Sequence, residues 1–215
     1  MHEILIKILA ILFIKAIIQN MHTRSFEKLD SYLKPGHVYR RKMLAQHSNA
    51  VDRDLMALVN KGSLTKAASG IYYKPLSSRY GILPPNEEKL VRVFLRDDRF
   101  ILYSWNQYNT LGLGLTQLYN KTIVYNCKRH GIFTLNGKQY DFRRPSRGFP
   151  SKLAPEFLLV DLVNNMGELS EDEDLLRHNI RKNLSRFNAS KVIQYAMRYG
   201  KIVTQRFFED TINES

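Results

Sequence analysis

The segment 48–73, SNAVDRDLMALVNKGSLTKAASGIYY, constrains the fold of this chain more than any other part of it. Within it, apolar residues recur at the spacing that places them on one face of a helix, namely Val51, Leu55, Leu58 and Val59. Asn49 stands at the expected N-cap with Asp52 three residues later, and Gly62 follows as a residue suited to end a helix. The segment therefore predicts one amphipathic helix with a marked start and a marked end.

The residues on either side of this helix extend the pattern. Upstream, 38–46 (VYRRKMLAQ) predicts a short helix with basic residues outward, and His47-Ser48 predicts a tight turn. Downstream, 64–73 predicts a two-stranded hairpin closed by Gly70. Helix, turn, helix and hairpin in this order are typical of a winged helix-turn-helix, whose second helix enters the major groove of DNA. The alternative is an amphipathic helix and a hairpin within some other α+β domain.

The winged-helix interpretation assigns DNA contacts to the start of the second helix, the basic face of the first helix and the hairpin. Arginine suits the O6 and N7 atoms of guanine, asparagine suits adenine, and cations on a wing suit phosphate. The residues predicted to contact duplex DNA are Arg40, Arg41, Lys42, Ser48, Asn49, Ala50, Arg53, Lys61, Lys66 and Ser69.

The net charge also favours a polyanionic partner. The chain has 33 Lys and Arg residues against 20 Asp and Glu residues, a net charge of +13, and such an excess favours nucleic acid or an anionic membrane surface. The one cysteine, Cys127, cannot form an intramolecular disulfide. A chain of this kind fits a reducing compartment, so the predicted location is the cytoplasm.

The apolar extension at residues 1–20 does not fit the rest of the chain. Its core, 4–18 (ILIKILAILFIKAII), is interrupted by Lys7 and Lys15, whereas a spanning helix needs about 20 largely uncharged residues. Three interpretations stay open: a start assigned too early, with Met21 as the natural one, a membrane anchor, or an accessory helix that packs on the domain. The first is favoured, and a membrane partner is not expected.

The fold class predicted is α+β, with two domains after the extension. The first, 21–75, is the winged helix-turn-helix. The second, 80–208, is predicted to combine a small antiparallel sheet with helices. Its strongest signal is Asn136-Gly137 between two alternating runs, which is typical of a tight hairpin. From Pro155 onward the apolar spacing becomes helical.

Six motifs follow one another along the chain: VDRDLxxLVxKGxL (51–64), GIYY (70–73), Pro85-Asn86 to Val93, Ser104-Trp105-Asn106 before Leu111-Gly112-Leu113, Val124-Tyr125, and AMRYG (196–200). In this order they resemble the AbiEi-type antitoxins of type IV toxin–antitoxin (abortive infection) systems. The resemblance covers roughly 23–208, and the apolar extension departs from it.

The resemblance implies a bacterial repressor and antitoxin. In that family the winged domain binds inverted repeats in its own promoter. The C-terminal domain counteracts a cognate nucleotidyltransferase-like toxin, by a route that does not require a stable complex. Three alternatives stay open: a stand-alone regulator whose second domain senses a ligand or dimerises, a membrane-tethered nucleic-acid-binding protein, and a nucleic-acid-processing enzyme.

A second basic cluster lies outside the predicted winged helix, within 121–152, where Asp141 is the one acid. Tyr140, Phe142 and Phe149 are interleaved with its cations, so the cluster is a candidate groove for nucleic acid or for toxin-related contacts, with the rings stacking on bases. The alternative is a solvated sheet face whose aromatic residues turn into the core. The residues assigned to this patch are Lys128, Arg129, Lys138, Arg143, Arg144 and Arg147.

The sequence does not predict an enzyme. The histidines lack the spacing of metal ligands, adjacent acids on a helix point apart, and no dinucleotide or Walker loop is present. We therefore expect no catalytic residue, no metal site and no cofactor.

Overall fold

The computed structural model describes residues 2–213, and within the first helix it describes the side chains of Ile6, of 9–15 and from Thr23 onward. The chain is an α+β protein built from helices and small sheets, which confirms the α+β part of the prediction. It divides into two compact units. The first is Met1–Arg96 with Leu135–Gly137, and the second is Asp97–Thr134 with Lys138–Ser215.

The first unit places helices around a three-stranded sheet. Its elements are α1 (His2–Tyr32), β1 (Val38–Arg40), α2 (Arg41–Leu44), α3 (Val51–Asn60), β2 (Thr65–Ala68), β3 (Ile71–Tyr73), β4 (Leu76–Ser78), β5 (Gly81–Leu83) and α4 (Glu87–Leu95). The sheet order is β1–β3–β2 with antiparallel pairs, and β4 and β5 form a separate hairpin. The core joins α1, β1, α2 and α3 through Leu29, Leu33, Tyr39, Leu44, Val51, Leu55, Leu58 and Leu64.

Helix α3 forms where the apolar spacing predicts it, but its start differs from the prediction. The N-cap residue is Ala50, which makes no side-chain capping bond. Ser48 Oγ accepts a hydrogen bond from the Ala50 N–H at 3.0 Å and donates one to the Asp54 carboxylate at 2.6 Å. Because Ser48 and Asp54 are both buried, they organise the turn. The prediction of Asn49 as the cap is therefore wrong, and Asn49 is exposed.

The predicted short helix over 38–46 is only partly formed. Residues Val38–Arg40 make strand β1, and only Arg41–Leu44 are helical. Tyr39 is buried and pairs with Tyr72 across the sheet. An aromatic residue beside a β-branched one suits a half-buried strand better than a helix, which explains the difference.

Helix α1 runs without a break from His2 to Tyr32, so the apolar extension and the start of the predicted first domain form one helix. An accessory helix packed on the domain would bury its apolar side chains. The described apolar side chains near the start of α1 are instead exposed, namely Ile6, Leu9, Ile11, Leu12, Phe13 and Ile14. Met21, the favoured alternative start, lies outside the described side chains. Among the described residues, no helix combines the length and apolar character needed to cross a bilayer.

The second unit packs four helices against a four-stranded sheet. Its elements are β6 (Phe100–Ser104), a 3-10 helix (Trp105–Leu111), β7 (Thr122–Asn126), β8 (Gly131–Leu135), β9 (Lys138–Arg143), α5 (Pro155–Asn165), α6 (Glu173–Asn183), α7 (Ala189–Tyr199) and α8 (Ile202–Asn213). Helix α5 is buried along most of its length and forms the centre of the core.

The sheet of the second unit is mixed, where the sequence predicts an antiparallel one. Its order is β6–β7–β9–β8, and β7 runs parallel to β9. The predicted hairpin forms, with positive φ at Asn136 and Gly137, but β8 lies at the outer edge. The buried amide of Asn126 fixes the turn after β7: its Oδ1 accepts from the Lys128 and Arg129 N–H groups. After this turn the chain forms β8 at the edge of the sheet and then returns as β9. Strand β8 is therefore part of the connection that lets β9 run parallel to β7.

The boundary between the units also differs from the predicted interval of 75–80. Helix α4, which the sequence assigns to the second domain, belongs to the first unit. The Arg40 guanidinium donates to the carbonyl oxygens of Val93 at 2.8 Å and Phe94 at 3.1 Å, near the end of α4. These bonds occupy carbonyl groups that a helix C-terminus leaves without partners.

Candidate nucleic-acid interface

The surface of α2 and α3 is organised by an ion pair between Arg41 and Asp52. The Arg41 Nε and Nη2 atoms donate to the two Asp52 oxygens at 2.6 and 2.5 Å. This hydrogen bonding raises the pKa of Arg41 and lowers the pKa of Asp52. Both side chains are exposed. The pair therefore links α2 to α3, and the Asp52 carboxylate partly neutralises the charge of Arg41 on this face.

Most of the residues predicted to contact DNA are exposed, and two are not available. The exposed ones are Arg41, Lys42, Asn49, Arg53, Lys61, Lys66 and Ser69. Arg40 is half-buried, and its guanidinium donates hydrogen bonds to α4, which directs it away from a DNA phosphate. Ser48 is buried against Asp54 and cannot reach a base edge. Ala50 is half-buried.

A shallow pocket of about 250 Å³ lies beside the start of α3, between α1 and the turn before α3. Cationic and polar side chains line it: Arg24, Ser25, Lys28, Gln46, His47 and Asn49. The Ser25 hydroxyl accepts from the Asn49 N–H at 3.2 Å, and the His47 ring stacks on Tyr32 at 3.7 Å. The sequence did not assign Arg24 and Lys28, because only the tertiary packing of α1 brings them beside α3.

Arg143, in the basic cluster of the second unit, is paired with acids of the same unit. Arg143 donates to Asp141, Asn165 and Glu168 at 2.6–3.1 Å and lies over the Trp105 ring. Burial lowers the pKa of Arg143, but the hydrogen bonds that it donates to Glu168 and Asp141 outweigh burial, so the pKa is raised. The same Arg143 contact lowers the pKa of Glu168. Arg143 therefore serves the packing of this unit, although the sequence assigned it to a binding patch.

The other patch residues differ in their surroundings. Lys128 pairs with Asp97 at 3.2 Å, Arg129 lies over the Phe133 ring, and Lys138 lies over Tyr140. Arg144 and Arg147 are exposed beside a second pocket of about 250 Å³ that Lys201 and His130 also line. Tyr140, Phe142 and Phe149 are buried, so they cannot stack on bases. The structure therefore confirms the alternative interpretation, in which these aromatic residues belong to the core.

A buried polar network beneath this sheet was not found from the sequence. Asp161, on α5, accepts hydrogen bonds from the hydroxyls of Tyr103, Tyr108 and Tyr125 at 2.5, 2.7 and 2.7 Å. Burial raises the pKa of Asp161 and of all three tyrosines. The signal was present, since a carboxylate within FLLVDLVNN has to find several donors once that helix is buried.

No metal-binding group of three or more His, Cys, Asp or Glu side chains occurs among the described residues. Cys127 is exposed.

Comparison with known proteins gives no match: no family model matches the chain, and no curated protein or solved structure matches it significantly.

Proposed function

We propose that this chain is a transcriptional autorepressor and antitoxin of a type IV toxin–antitoxin operon. Its first unit would bind inverted repeats in promoter DNA as a winged helix. Its second unit would counteract a nucleotidyltransferase-like toxin, with or without a stable complex. Both targets belong to the cytoplasm, which is the location we propose.

The element order of the first unit carries the DNA-binding part of the proposal. Helices α1, α2 and α3 and the hairpin β2–β3 follow one another, and β3 lies between β1 and β2. This is the order expected for a winged helix, with α3 as recognition helix and β2–β3 as wing. The exposed side chains of Asn49, Arg53 and Lys66 support it, because they lie at the start of α3 and on the hairpin.

The antitoxin part rests on the resemblance of the ordered motifs to the AbiEi-type antitoxins. One of these motifs has a physical role in the fold. A Cβ atom on Gly200 would lie 2.4 Å from the Ala196 carbonyl oxygen, so AMRYG needs glycine where α7 ends.

DNA binding is tested by titrating the full chain against its own upstream DNA at two salt concentrations, with unrelated DNA as competitor. We expect a specific, salt-sensitive shift. Arg53→Ala should cost about 1–3 kcal/mol on the operator if Arg53 contacts a base, and less on unrelated DNA. Arg206→Ala removes the same charge from the exposed face of α8 and should leave the preference intact. Equal losses on all DNA would contradict the role of Arg53, and binding without preference would contradict the repressor.

Toxin neutralisation is tested by co-expression. A nucleotidyltransferase-like toxin encoded beside this chain should arrest growth when expressed alone, and this chain should restore growth. If the toxin arrests growth equally with and without this chain, the antitoxin role is wrong, whatever the result with DNA.

A stand-alone regulator with a ligand-sensing second unit is the second candidate. A cleft in the second unit that is lined by aromatic and arginine side chains favours it. Specific DNA binding without toxin rescue would separate this function from the first.

A further inference from the structure

A cleft in the second unit has a volume of about 600 Å³, within the range of about 300–1,000 Å³ typical of small-molecule sites. No residue predicted to contact duplex DNA and no cation of the second basic cluster lines it, whereas Phe149 of that cluster does. Its walls come from the start of β6, from the segment after β9 and from the second half of α7. The side chains that matter for binding are Asp98, Arg99, Gln194, Tyr195, Arg198 and Tyr199.

The wall formed by α7 is a rigid aromatic surface. Tyr195 and Tyr199 lie one turn apart, and their rings stack with centroids 6.0 Å apart. The buried ring of Phe157 packs edge-on against both, at 6.0 and 5.7 Å. Because the rings are fixed before any ligand arrives, little conformational entropy would be lost on binding.

Two guanidinium groups stand at the cleft over aromatic rings. Arg99 lies over Phe149 at 5.9 Å and Arg198 lies over Tyr199 at 5.3 Å. Both arginines are exposed. A guanidinium that rests on a ring keeps its N–H edges available for a bidentate contact with phosphate. The lining therefore combines apolar rings with cations, and Asp98 supplies one carboxylate.

We propose that this cleft binds a phosphorylated nucleoside, with the base against the aromatic wall and the phosphate on Arg99 and Arg198. Bases stack on aromatic rings and on arginine planes. Carboxylate oxygens such as those of Asp98 accept hydrogen bonds from sugar hydroxyls. Gln194, one turn before Arg198, offers both a donor and an acceptor to a base edge. A sugar phosphate without a base would leave the rings unused, and an uncharged aromatic ligand would leave the arginines unused.

The proposal goes beyond the promoter-binding and antitoxin functions and depends on neither. It gives the ligand-sensing alternative a chemical class of ligand. Two sources carry this chemistry, a free mononucleotide and the end of a single RNA strand, and the experiment separates them.

The test is calorimetric titration of the full chain with ATP, GTP, AMP and a short single-stranded RNA, with adenosine and inorganic phosphate as partial ligands. We expect saturable binding of at least one nucleotide, well above that of either partial ligand. Arg198→Ala should weaken this binding by about tenfold or more, because a charged hydrogen bond to phosphate is lost. Arg206→Ala removes an exposed arginine outside the cleft and should leave the affinity unchanged.

Each outcome has a definite meaning. Binding of a mononucleotide identifies a free nucleotide as the ligand, and binding of RNA alone identifies a strand end. No saturable binding of any probe overturns the proposal, as does an equal loss in Arg198→Ala and Arg206→Ala. Inorganic phosphate that binds as well as the nucleotides also overturns it, because the base would then contribute nothing. Operator binding by Arg198→Ala, measured in parallel, should equal that of the unchanged chain, which keeps this test independent of the repressor function.

Discussion

Asp52 is the single residue whose charge most opposes the proposed DNA surface. It is on the first turn of α3, its side chain is 70% exposed, and it holds Arg41 in a bidentate pair. In a complex with DNA, this carboxylate would repel phosphate and compete with it for Arg41. Asp52→Asn should therefore raise operator affinity by roughly three- to tenfold and steepen the salt dependence by about one unit.

Fluorescence anisotropy at several salt concentrations measures both effects of Asp52→Asn. Asp210→Asn, which removes an exposed acid from α8, is the matched control and should change neither. A weaker operator complex would contradict the prediction and would mean that Asp52 orients Arg41 or accepts a hydrogen bond from a base.

The three tyrosines around Asp161 predict how stability depends on alkaline pH. Their pKa values are raised in the folded chain by burial and by the Asp161 charge, whereas in the unfolded chain they titrate near pH 10. Stability is therefore fully present below about pH 10 and falls above it, by about 1.4 kcal/mol per pH unit for each tyrosine. Ultraviolet absorbance of phenolate should show that these three tyrosines titrate only when the chain unfolds.

Tyr125→Phe is the informative variant for this pH dependence, because it removes one of the three raised groups. Its alkaline stability slope should fall by about a third. Reversible titration of all twelve tyrosines, with the helical signal intact, would contradict the prediction.

Single residues also show where the sequence is insufficient. The alternation of Tyr140 and Phe142 allows them to be assigned to the core, and they are buried. The pattern places the next residue, Arg143, on the opposite face, but it cannot show that Arg143 donates hydrogen bonds to Asp141 and Glu168. Glu168 is 25 residues away in sequence. Long-range pairing of this kind decides which cations remain available to a ligand.

At the scale of elements, the hairpin β2–β3 is the part of the first unit whose role is easiest to isolate. Lys66 is exposed on β2, opposite Tyr72 of β3. If the hairpin is a wing on the DNA backbone, Lys66→Ala should weaken binding to all sequences and reduce the salt slope by about one unit. Lys182→Ala, on the exposed face of α6, provides the control. An unchanged slope would remove the hairpin from the interface.

Elements with a local origin were predictable, and elements set by tertiary contacts were not. Helix α3 and the Asn136-Gly137 turn follow from spacing and turn chemistry within a few residues. The position of β9 beside β7 depends on the turn at Asn126 and on the sheet as a whole. The candidate cleft was equally hidden, because its walls come from three separate segments of chain, near Arg99, Phe149 and Tyr195.

At the scale of the whole molecule, the number of Lys and Arg residues, 33, overstates the cations available to a partner. Lys121, Lys128 and Arg143 are engaged by acids within the second unit. A salt dependence that reflects direct phosphate contacts should therefore be smaller than the number of cations suggests, and it should respond to substitutions in the first unit.

The exposed start of α1 gives the last prediction. Ile6, Leu9, Leu12 and Phe13 are each 56–68% exposed, and monomeric proteins rarely present large contiguous apolar patches to water. Deleting residues 1–20 should therefore reduce self-association, which sedimentation velocity measures. Operator affinity should be unchanged, since Leu29 and Leu33 anchor the remaining part of α1 and its end in the core. A full chain that stays monomeric at every concentration would contradict the first expectation. Binding to lipid vesicles by the full chain, lost on deletion, would instead favour a membrane anchor, because the same apolar side chains would then be covered by lipid rather than by a second copy.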